Sequence, residues 1–155
     1  MTDDPRELIL VRTIAAPPRA VFRCWTEPAL IVRWFTPAPW TTASAEIDLR
    51  PGGGNLIVMH GPNGEIVPNR GCYLEIDPPR RLVFTDAYVG DWTPSEAPFF
   101  TGVLTFEEFG EGSTLYTARA RHWTIDAAKR HAEMGFFEGW GRATDQLEAL
   151  AKTLA

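Results

Sequence analysis

The sequence contains few cysteines, no long apolar run and no excess of positive charge. Its only two cysteines, Cys24 and Cys72, lie far apart inside apolar segments and lack CxxC spacing. This pattern predicts buried free thiols in a reducing compartment rather than a disulfide framework. No segment approaches the roughly 18 consecutive apolar residues of a transmembrane helix, and the acidic start over residues 1–7 does not resemble a signal peptide. We therefore expect a cytoplasmic protein without a membrane span.

Several classes of functional site are also missing from the sequence. The 15 basic and 20 acidic residues give a net charge of −5 with no basic stripe, so we expect no nucleic-acid partner. The three histidines are scattered without HxxxH or HxH spacing, and we expect neither a metal nor a cofactor. The glycine run 52–54 is not followed by Lys-Ser/Thr and predicts a hairpin turn rather than a phosphate site. There is no GxSxG nucleophile motif.

Aromatic residues, in contrast, are abundant. Six Trp, three Tyr and nine Phe give 18 aromatic residues in a chain of 155, within an otherwise ordinary composition of 45% hydrophobic and 23% charged residues. This length suits one domain with a substantial core. Either that core is bulky or some of the rings line a binding site.

The order of secondary structure elements indicates an α+β protein. A β-branched segment over 7–14 predicts a strand, and Pro17-Pro18 and then Pro28 predict two short helices, because proline is tolerated in the first turn of a helix. Strand-length segments separated by Gly, Pro and Asn turns predict six further strands in an antiparallel meander. These strands are expected over 43–49, 55–60, 66–76, 82–88, 99–109 and 114–122.

A long C-terminal helix is expected over 124–154, with Thr124 or Asp126 as its N-cap. Apolar residues recur along it at spacings of three and four and form one stripe that must be buried on the sheet. A curved sheet and a straight helix cannot stay in contact along their whole length. The gap between them is therefore expected to hold large side chains, water or a small-molecule ligand. The stripe consists of Phe136, Trp140, Ala143, Leu147, Leu150 and Leu154.

Several segments resemble one known family at matching spacing: 34–37, 47–53, 58–64, 71–85, and Gly139-Trp140 followed by Leu147. They are similar to the AHSA-like family, named for an activator of a heat-shock-protein ATPase, within the START-like (SRPBCC) superfamily of helix-grip folds. The resemblance spans about residues 7–154. It implies one START-like domain over 1–155, ordered over about 6–153. It further implies a seven-stranded antiparallel sheet wrapped around a long C-terminal helix, with two short helices after the first strand.

The resemblance also implies a hydrophobic cavity between the helix and the sheet, in which many relatives are thought to hold lipids, polyketides or other apolar molecules. Asn55 and Asp86 depart from the apolar or aromatic residues expected at the matching positions, which indicates a partly polar cavity. Trp25, Phe106 and Trp140 are assigned to ordinary core packing, and the loop over 89–98 is expected to act as a lid. Strand alternation and loop positions predict the following ligand-binding residues: Trp34, Phe35, Trp40, Asn55, Phe84, Asp86, Tyr88, Trp92, Phe100, Tyr116, Ala118, His122, Glu133 and Phe137.

Two of these residues carry a catalytic hypothesis. If Asp86 and His122 both project inward, the aspartate could orient the imidazole as a general base; the alternative is a satisfied polar pair or a rim position. Glu133 could meet a polar group of a ligand, or it could be an exposed helical glutamate. His60 is expected to be exposed, and His131 to lie away from the apolar stripe.

Three hypotheses for the function follow from the sequence. The first is binding of a small hydrophobic or aromatic molecule in the cavity. The second is a polyketide cyclase-like enzyme, a dehydratase or a hydrolase that acts on such a molecule. The third is a chaperone-regulating interaction module of the stress response, which the family name alone motivates. A homodimer through the edge strand 7–14 is also open.

Overall fold

The protein, seen in a computed structural model, is described over residues 3–155 and contains one seven-stranded sheet. The strands run in the order β1-β7-β6-β5-β4-β3-β2, and every neighbouring pair is antiparallel. This confirms the α+β class and the antiparallel meander, with β1 and β2 at the two edges. The strands are β1 (Glu7–Ile14), β2 (Thr41–Ile47), β3 (Gly54–His60), β4 (Ile66–Asp77), β5 (Arg81–Thr85), β6 (Phe100–Glu108) and β7 (Thr114–His122).

Two short helices follow β1, as the prolines predict. Helix α1 (Pro18–Thr26) begins with proline in its first turn and buries Val21, Cys24 and Trp25. Helix α2 (Pro28–Ile31) is a single turn, so that Trp34 and Phe35 lie just beyond it. The connection from β1 to β2 therefore places two large aromatic side chains beside the sheet.

The prediction of one continuous C-terminal helix is wrong. The segment forms α3 (Ile125–Glu133) and α4 (Phe136–Thr153), separated by Met134 and Gly135. Gly135 has φ +94°, a conformation that residues with a side chain rarely adopt, and it ends the helical path. The predicted N-cap is confirmed, because the Thr124 hydroxyl accepts a hydrogen bond from the Ala127 amide at 3.0 Å.

The core lies between the inner face of the sheet, α1 and the C-terminal half of α4. Leu147, Leu150 and Ala151 are buried there together with Ile14 and Val21. The N-terminal half of α4 instead borders open space in front of the sheet, and residues from Gly135 to Thr144 form one wall of this space. The sheet and the helix are thus in contact at one end and separated at the other.

Both cysteines are buried and free, as the sequence predicts. Across residues 3–155, no helix is long and apolar enough to span a membrane. The predicted single domain also includes residues 1–2, which lie outside the described part of the chain.

Candidate functional site

Two adjoining cavities lie against the inner face of the sheet, one beside the α1–α2 segment and one under the N-terminal half of α4. The smaller, of about 310 Å³, reaches the loop after β5, and we call it the polar cavity. The larger, of about 410 Å³, lies under α4, and we call it the aromatic cavity. They share the side chains of Trp25, Phe35, Asn69 and Phe100, which form the wall between them.

The polar cavity combines apolar walls with a group of polar side chains. Trp25, Ile31, Phe35, Ile57, Phe84 and Phe100 supply the apolar surface. Exposed Pro68, Arg70 and Ala97 mark where the cavity opens between β4 and the 86–99 loop. The polar lining consists of Asn55, Asn69, Arg70, Tyr73, Thr85, Asp86 and Ser95.

Asp86 lies directly after β5 and holds the end of the following loop. Its Oδ1 accepts hydrogen bonds from the amides of Phe99 at 2.8 Å and Phe100 at 3.2 Å. Burial raises the pKa of this carboxyl group, whereas the two amide bonds and the nearby His122 oppose the shift. Asp86 is therefore a half-buried carboxyl group that borders the cavity and positions the start of β6.

Two further polar residues of the polar cavity, Asn55 and Ser95, differ in their hydrogen bonds. The Asn55 side chain hydrogen-bonds the Tyr73 hydroxyl; burial raises the pKa of Tyr73, and this hydrogen bond opposes the shift. Within residues 3–155, Ser95 Oγ is the one fully buried side-chain oxygen or nitrogen without a hydrogen-bond partner. An unpartnered buried hydroxyl is costly, so a ligand that reaches Ser95 could satisfy it.

The aromatic cavity is bordered mainly by large apolar side chains. Phe136 and Trp140 of α4 are in contact, with ring centroids 4.8 Å apart, and Trp140 also approaches Phe100 at 6.0 Å. Exposed Met134 and Val67 mark its opening between α4 and β4. The remaining lining residues are Trp25, Trp34, Phe35, Pro37, Met59, Asn69, Phe99, Tyr116, His131, Gly135, Gly139, Ala143 and Thr144.

Tyr116 places a hydroxyl group at the wall of the aromatic cavity. Its oxygen accepts a hydrogen bond from Trp25 Nε1 at 3.2 Å, and the residue is only 1% exposed. Burial raises the pKa of this hydroxyl, so it remains protonated. Because an indole N–H only donates, the Tyr116 proton points elsewhere, and no acceptor for it is found in the described chain. Tyr116 is thus a nearly fully buried residue that borders the aromatic cavity.

The predicted Asp86–His122 pair does not form. His122 Nδ1 lies 2.8 Å from the backbone oxygen of Arg6, and its Nε2 lies 2.8 Å from Nδ1 of His131. Both imidazole nitrogens are thus occupied, and Asp86 uses backbone amides instead. The reason is that β5 ends at Thr85, so the alternation that placed Asp86 and His122 on one face no longer applies.

Half of the 14 predicted ligand-binding residues border the cavities. These are Trp34, Phe35, Asn55, Phe84, Asp86, Phe100 and Tyr116. The structure places the other seven elsewhere: Trp40, Tyr88, Trp92, Ala118, His122, Glu133 and Phe137.

The predicted lid loop is held against a turn rather than over the cavities. The Trp92 ring lies 2.8 Å from the position that a Cβ on Gly52 would occupy, and the Asp91 amide donates to the Gly52 oxygen at 2.9 Å. Tyr88 packs edge-on against Trp92. Only Val89, Ser95 and Ala97 of this loop border the polar cavity.

The other five residues miss the cavities for local reasons. Trp40 lies beside Gly61, at the turn between β3 and β4. Ala118 is fully buried in the core, and His122 lies behind His131 and the rings of Phe99 and Phe100. Glu133 and Phe137 are exposed, because the helix break at Gly135 changes the direction in which the two helices face.

Many of the lining residues are not among the predicted ones, and four of them are informative. Trp25 and Trp140 border cavities although the sequence assigns them to the core, and His131 is buried although the predicted continuous helix places it off the apolar stripe. Gly139, within α4, leaves room in the aromatic cavity. Gly135 and Gly139 are the sequence signal for these differences, because a glycine in a helical segment often marks the end of a helix or leaves space beside it.

No group of three or more potential metal ligands occurs among residues 3–155.

Known families and structures match this arrangement over nearly its full length. The sequence profile of the family described as "Activator of Hsp90 ATPase homolog 1-like protein" matches residues 15–152. The chain is also similar to the crystal structure of protein NE0264 from Nitrosomonas europaea, with 42% identity and a TM-score of 0.93. That match covers 98% of this chain and 97% of the other.

More distant structures share the fold. Protein Ms6760 from Mycobacterium smegmatis is 27% identical, with a TM-score of 0.79 and coverage of 95% of this chain and 91% of the other. The AHSA1-like protein from Aeromonas hydrophila is 19% identical, with a TM-score of 0.70 and coverage of 96% and 93%, and shows the fold alone. No curated protein matches the sequence.

Proposed function

Because the chain belongs to the Activator of Hsp90 ATPase homolog 1-like family, and has its helix-grip fold, we propose that it binds a small hydrophobic or aromatic molecule between α4 and the sheet. The observation that carries this proposal is the separation of the N-terminal half of α4 from the sheet. The aromatic cavity of about 410 Å³ fills that space, and the polar cavity of about 310 Å³ adjoins it beside the α1–α2 segment. Both volumes lie in the range of small-molecule sites.

The lining of the cavities supports an aromatic or aliphatic ligand with a few polar atoms. The rings of Trp34, Phe35, Phe100, Phe136 and Trp140 offer faces and edges against which an aromatic ligand can stack. Removal of apolar surface from water stabilises a complex by about 25 cal/mol per Å² before the costs of association. Asp86, Asn55 and Tyr116 supply the polar groups that would orient the ligand.

Blocking the aromatic cavity tests this proposal. A Cβ on Gly139 would meet no atom within 4 Å, so a leucine at this position fits the helix, and because Gly139 borders the cavity we expect the leucine side chain to enter it. We expect the wild-type protein to bind N-phenyl-1-naphthylamine saturably with one site, as measured by its fluorescence. Gly139→Leu should weaken this binding at least tenfold.

Gly141→Leu is the matched control, because Gly141 also lies in α4 with free space around its Cβ position but borders neither cavity. Both substitutions should stabilise the helix by about 0.5–1 kcal/mol, since leucine has the higher helix propensity. Equal probe binding by the two variants and the wild type, or no saturable binding at all, would contradict a ligand site under α4.

The enzymatic hypothesis loses the pair of residues on which it was based. His122 has both ring nitrogens in hydrogen bonds within the protein, and Asp86 accepts from two backbone amides. The chaperone hypothesis continues to rest on the family name. Ligand binding is the function that the cavities support best, and a cytoplasmic location with free cysteines is consistent with it.

A further inference from the structure

We propose that His131 presents an unprotonated Nε2 to the aromatic cavity as a hydrogen-bond acceptor, so that the ligand carries a hydroxyl or N–H group on its aromatic or apolar body. This inference rests on the proposed function and names the class of ligand. It follows from the order in which hydrogen bonds connect Arg6, His122 and His131.

The chain of hydrogen bonds begins at a group that can only accept. His122 Nδ1 lies 2.8 Å from the backbone oxygen of Arg6, which also accepts from the His122 amide at 2.9 Å. A carbonyl oxygen has two lone pairs and no proton, so His122 Nδ1 carries the hydrogen. In a neutral imidazole the other nitrogen is then bare. His122 Nε2 is therefore an acceptor.

The second hydrogen bond then determines the tautomer of His131. His131 Nδ1 lies 2.8 Å from His122 Nε2 and must donate to it. Its own Nε2 is then the bare nitrogen of a neutral ring. No partner for this Nε2 occurs within residues 3–155, although His131 is only 8% exposed and borders the aromatic cavity.

The surroundings of His131 keep it neutral. The rings of Phe99, Phe100 and Phe136 lie within 5.2 Å of its centroid and offer no counter-charge. The charged group of Arg130 lies over the ring of Phe99, 5.2 Å from its centroid, and the Asp86 carboxyl group lies near His122. Burial, and secondarily His122, lower the pKa of His131 to about 4.

This arrangement selects among ligands of similar shape. When a ligand excludes water from the cavity, a donor on the ligand satisfies His131 Nε2, whereas a ligand without a donor leaves the nitrogen unpaired. Because the unpaired nitrogen carries a desolvation cost, we expect a ligand with a donor to bind about tenfold more tightly than its donor-free analogue.

The protonation state can be tested without any ligand. Two-bond ¹H–¹⁵N spectra of the ¹⁵N-histidine-labelled protein at pH 8 distinguish a protonated Nδ1 from a protonated Nε2. We expect His122 and His131 both to carry the proton on Nδ1. A proton on Nε2 of His131 would overturn the inference, whether or not any molecule binds.

The ligand class is tested with 1-naphthol and 1-methoxynaphthalene, which have similar shape but differ in the hydroxyl donor. Wild-type protein should prefer 1-naphthol about tenfold in calorimetric titrations at pH 8. His131→Asn should lose this preference and bind 1-methoxynaphthalene at least as tightly as the wild type. The asparagine Nδ2 can replace Nδ1 as donor to His122, while no atom replaces Nε2, so the desolvation cost of the unpaired nitrogen disappears. Lys129→Asn, at an exposed position of the same helix, is the control and should keep the preference.

The outcomes separate the two proposals. Binding of both naphthalenes without a preference, or a preference retained in His131→Asn, would overturn the acceptor role while leaving the cavity as a ligand site. Failure of both naphthalenes to bind, together with failure of N-phenyl-1-naphthylamine, would overturn the proposed function and the ligand class with it.

Discussion

His122 Nε2 and His131 Nδ1 lie 2.8 Å apart, and this hydrogen bond joins the end of β7 to α3. The contact is buried and belongs to a cluster of aromatic rings that also borders the ligand cavity. Protonation of His131 would remove the lone pair of Nε2 and place a charge among those rings, so the burial of this neutral ring makes stability depend on pH.

We expect the protein to lose stability between pH 6.5 and about 4 because of His131. Burial lowers the pKa of His131 to about 4 in the folded protein, so the unfolded chain binds the proton first as the pH falls. The contribution is present in full above pH 6.5. One pKa unit corresponds to about 1.4 kcal/mol; because solvent reaches the cavity, we expect about 1–2 kcal/mol in total.

Urea unfolding at pH 7.5 and pH 5 measures this effect. The loss of unfolding free energy should be smaller in His131→Asn, which has no titrating group at this position. The same loss in the variant and the wild type would assign the pH dependence to other residues.

Substitution of Asp86 should separate its structural role from its charge. Asp86→Ala removes the acceptor of the Phe99 and Phe100 amides, and we expect a loss of about 2–3 kcal/mol in chemical denaturation. Asp86→Asn keeps an oxygen at the Oδ1 position and removes a partly desolvated charge, so its stability should be within about 1 kcal/mol of the wild type. Equal effects of the two substitutions would show that the amide bonds contribute little.

A methyl group on Gly102 should displace a cavity residue. A Cβ at this position would overlap the ring of Phe84 on the neighbouring strand, which contacts Trp25 and borders the polar cavity. We expect Gly102→Ala to cost about 1–3 kcal/mol through overpacking. Gly139→Ala should have the opposite sign and stabilise by about 0.5–1 kcal/mol, because its Cβ position is free and helical. Urea unfolding of both variants measures whether each substitution lowers or raises the free energy of unfolding.

Loss of the Tyr116 hydroxyl should affect both stability and ligand preference. Tyr116→Phe leaves the buried Trp25 Nε1 without its acceptor, and we expect a cost of about 1–2 kcal/mol in thermal or urea unfolding. The variant should also lose any preference for 1-naphthaldehyde over 1-methylnaphthalene, since the carbonyl group would no longer meet a donor. Tyr73→Phe, which alters only the polar cavity, should keep that preference. Identical ligand preferences in Tyr116→Phe and the wild type would exclude the hydroxyl from ligand recognition.

Most of the architecture can be predicted from the sequence because the signals for it are local. Alternation of apolar residues and turns rich in Gly, Pro and Asn predicted seven antiparallel strands, and prolines marked the starts of the first two helices. The resemblance to the family added the helix-grip arrangement, which the comparisons confirm. Residues inside regular strands next to the gap, such as Phe84, Phe100 and Tyr116, were accordingly placed beside the cavities.

Which of the remaining side chains border the two cavities depends on tertiary contacts that sequence patterns do not reveal. The positive φ of Gly135 divides the C-terminal helix and turns His131 inward and Phe137 outward, which the period of a continuous helix cannot predict. Trp92 packs against Gly52, forty residues earlier in the chain, so its ring borders neither cavity although other residues of the same loop line the polar cavity. Side-chain direction at helix breaks and in loops depends on such distant contacts, whereas strand alternation depends on the backbone alone.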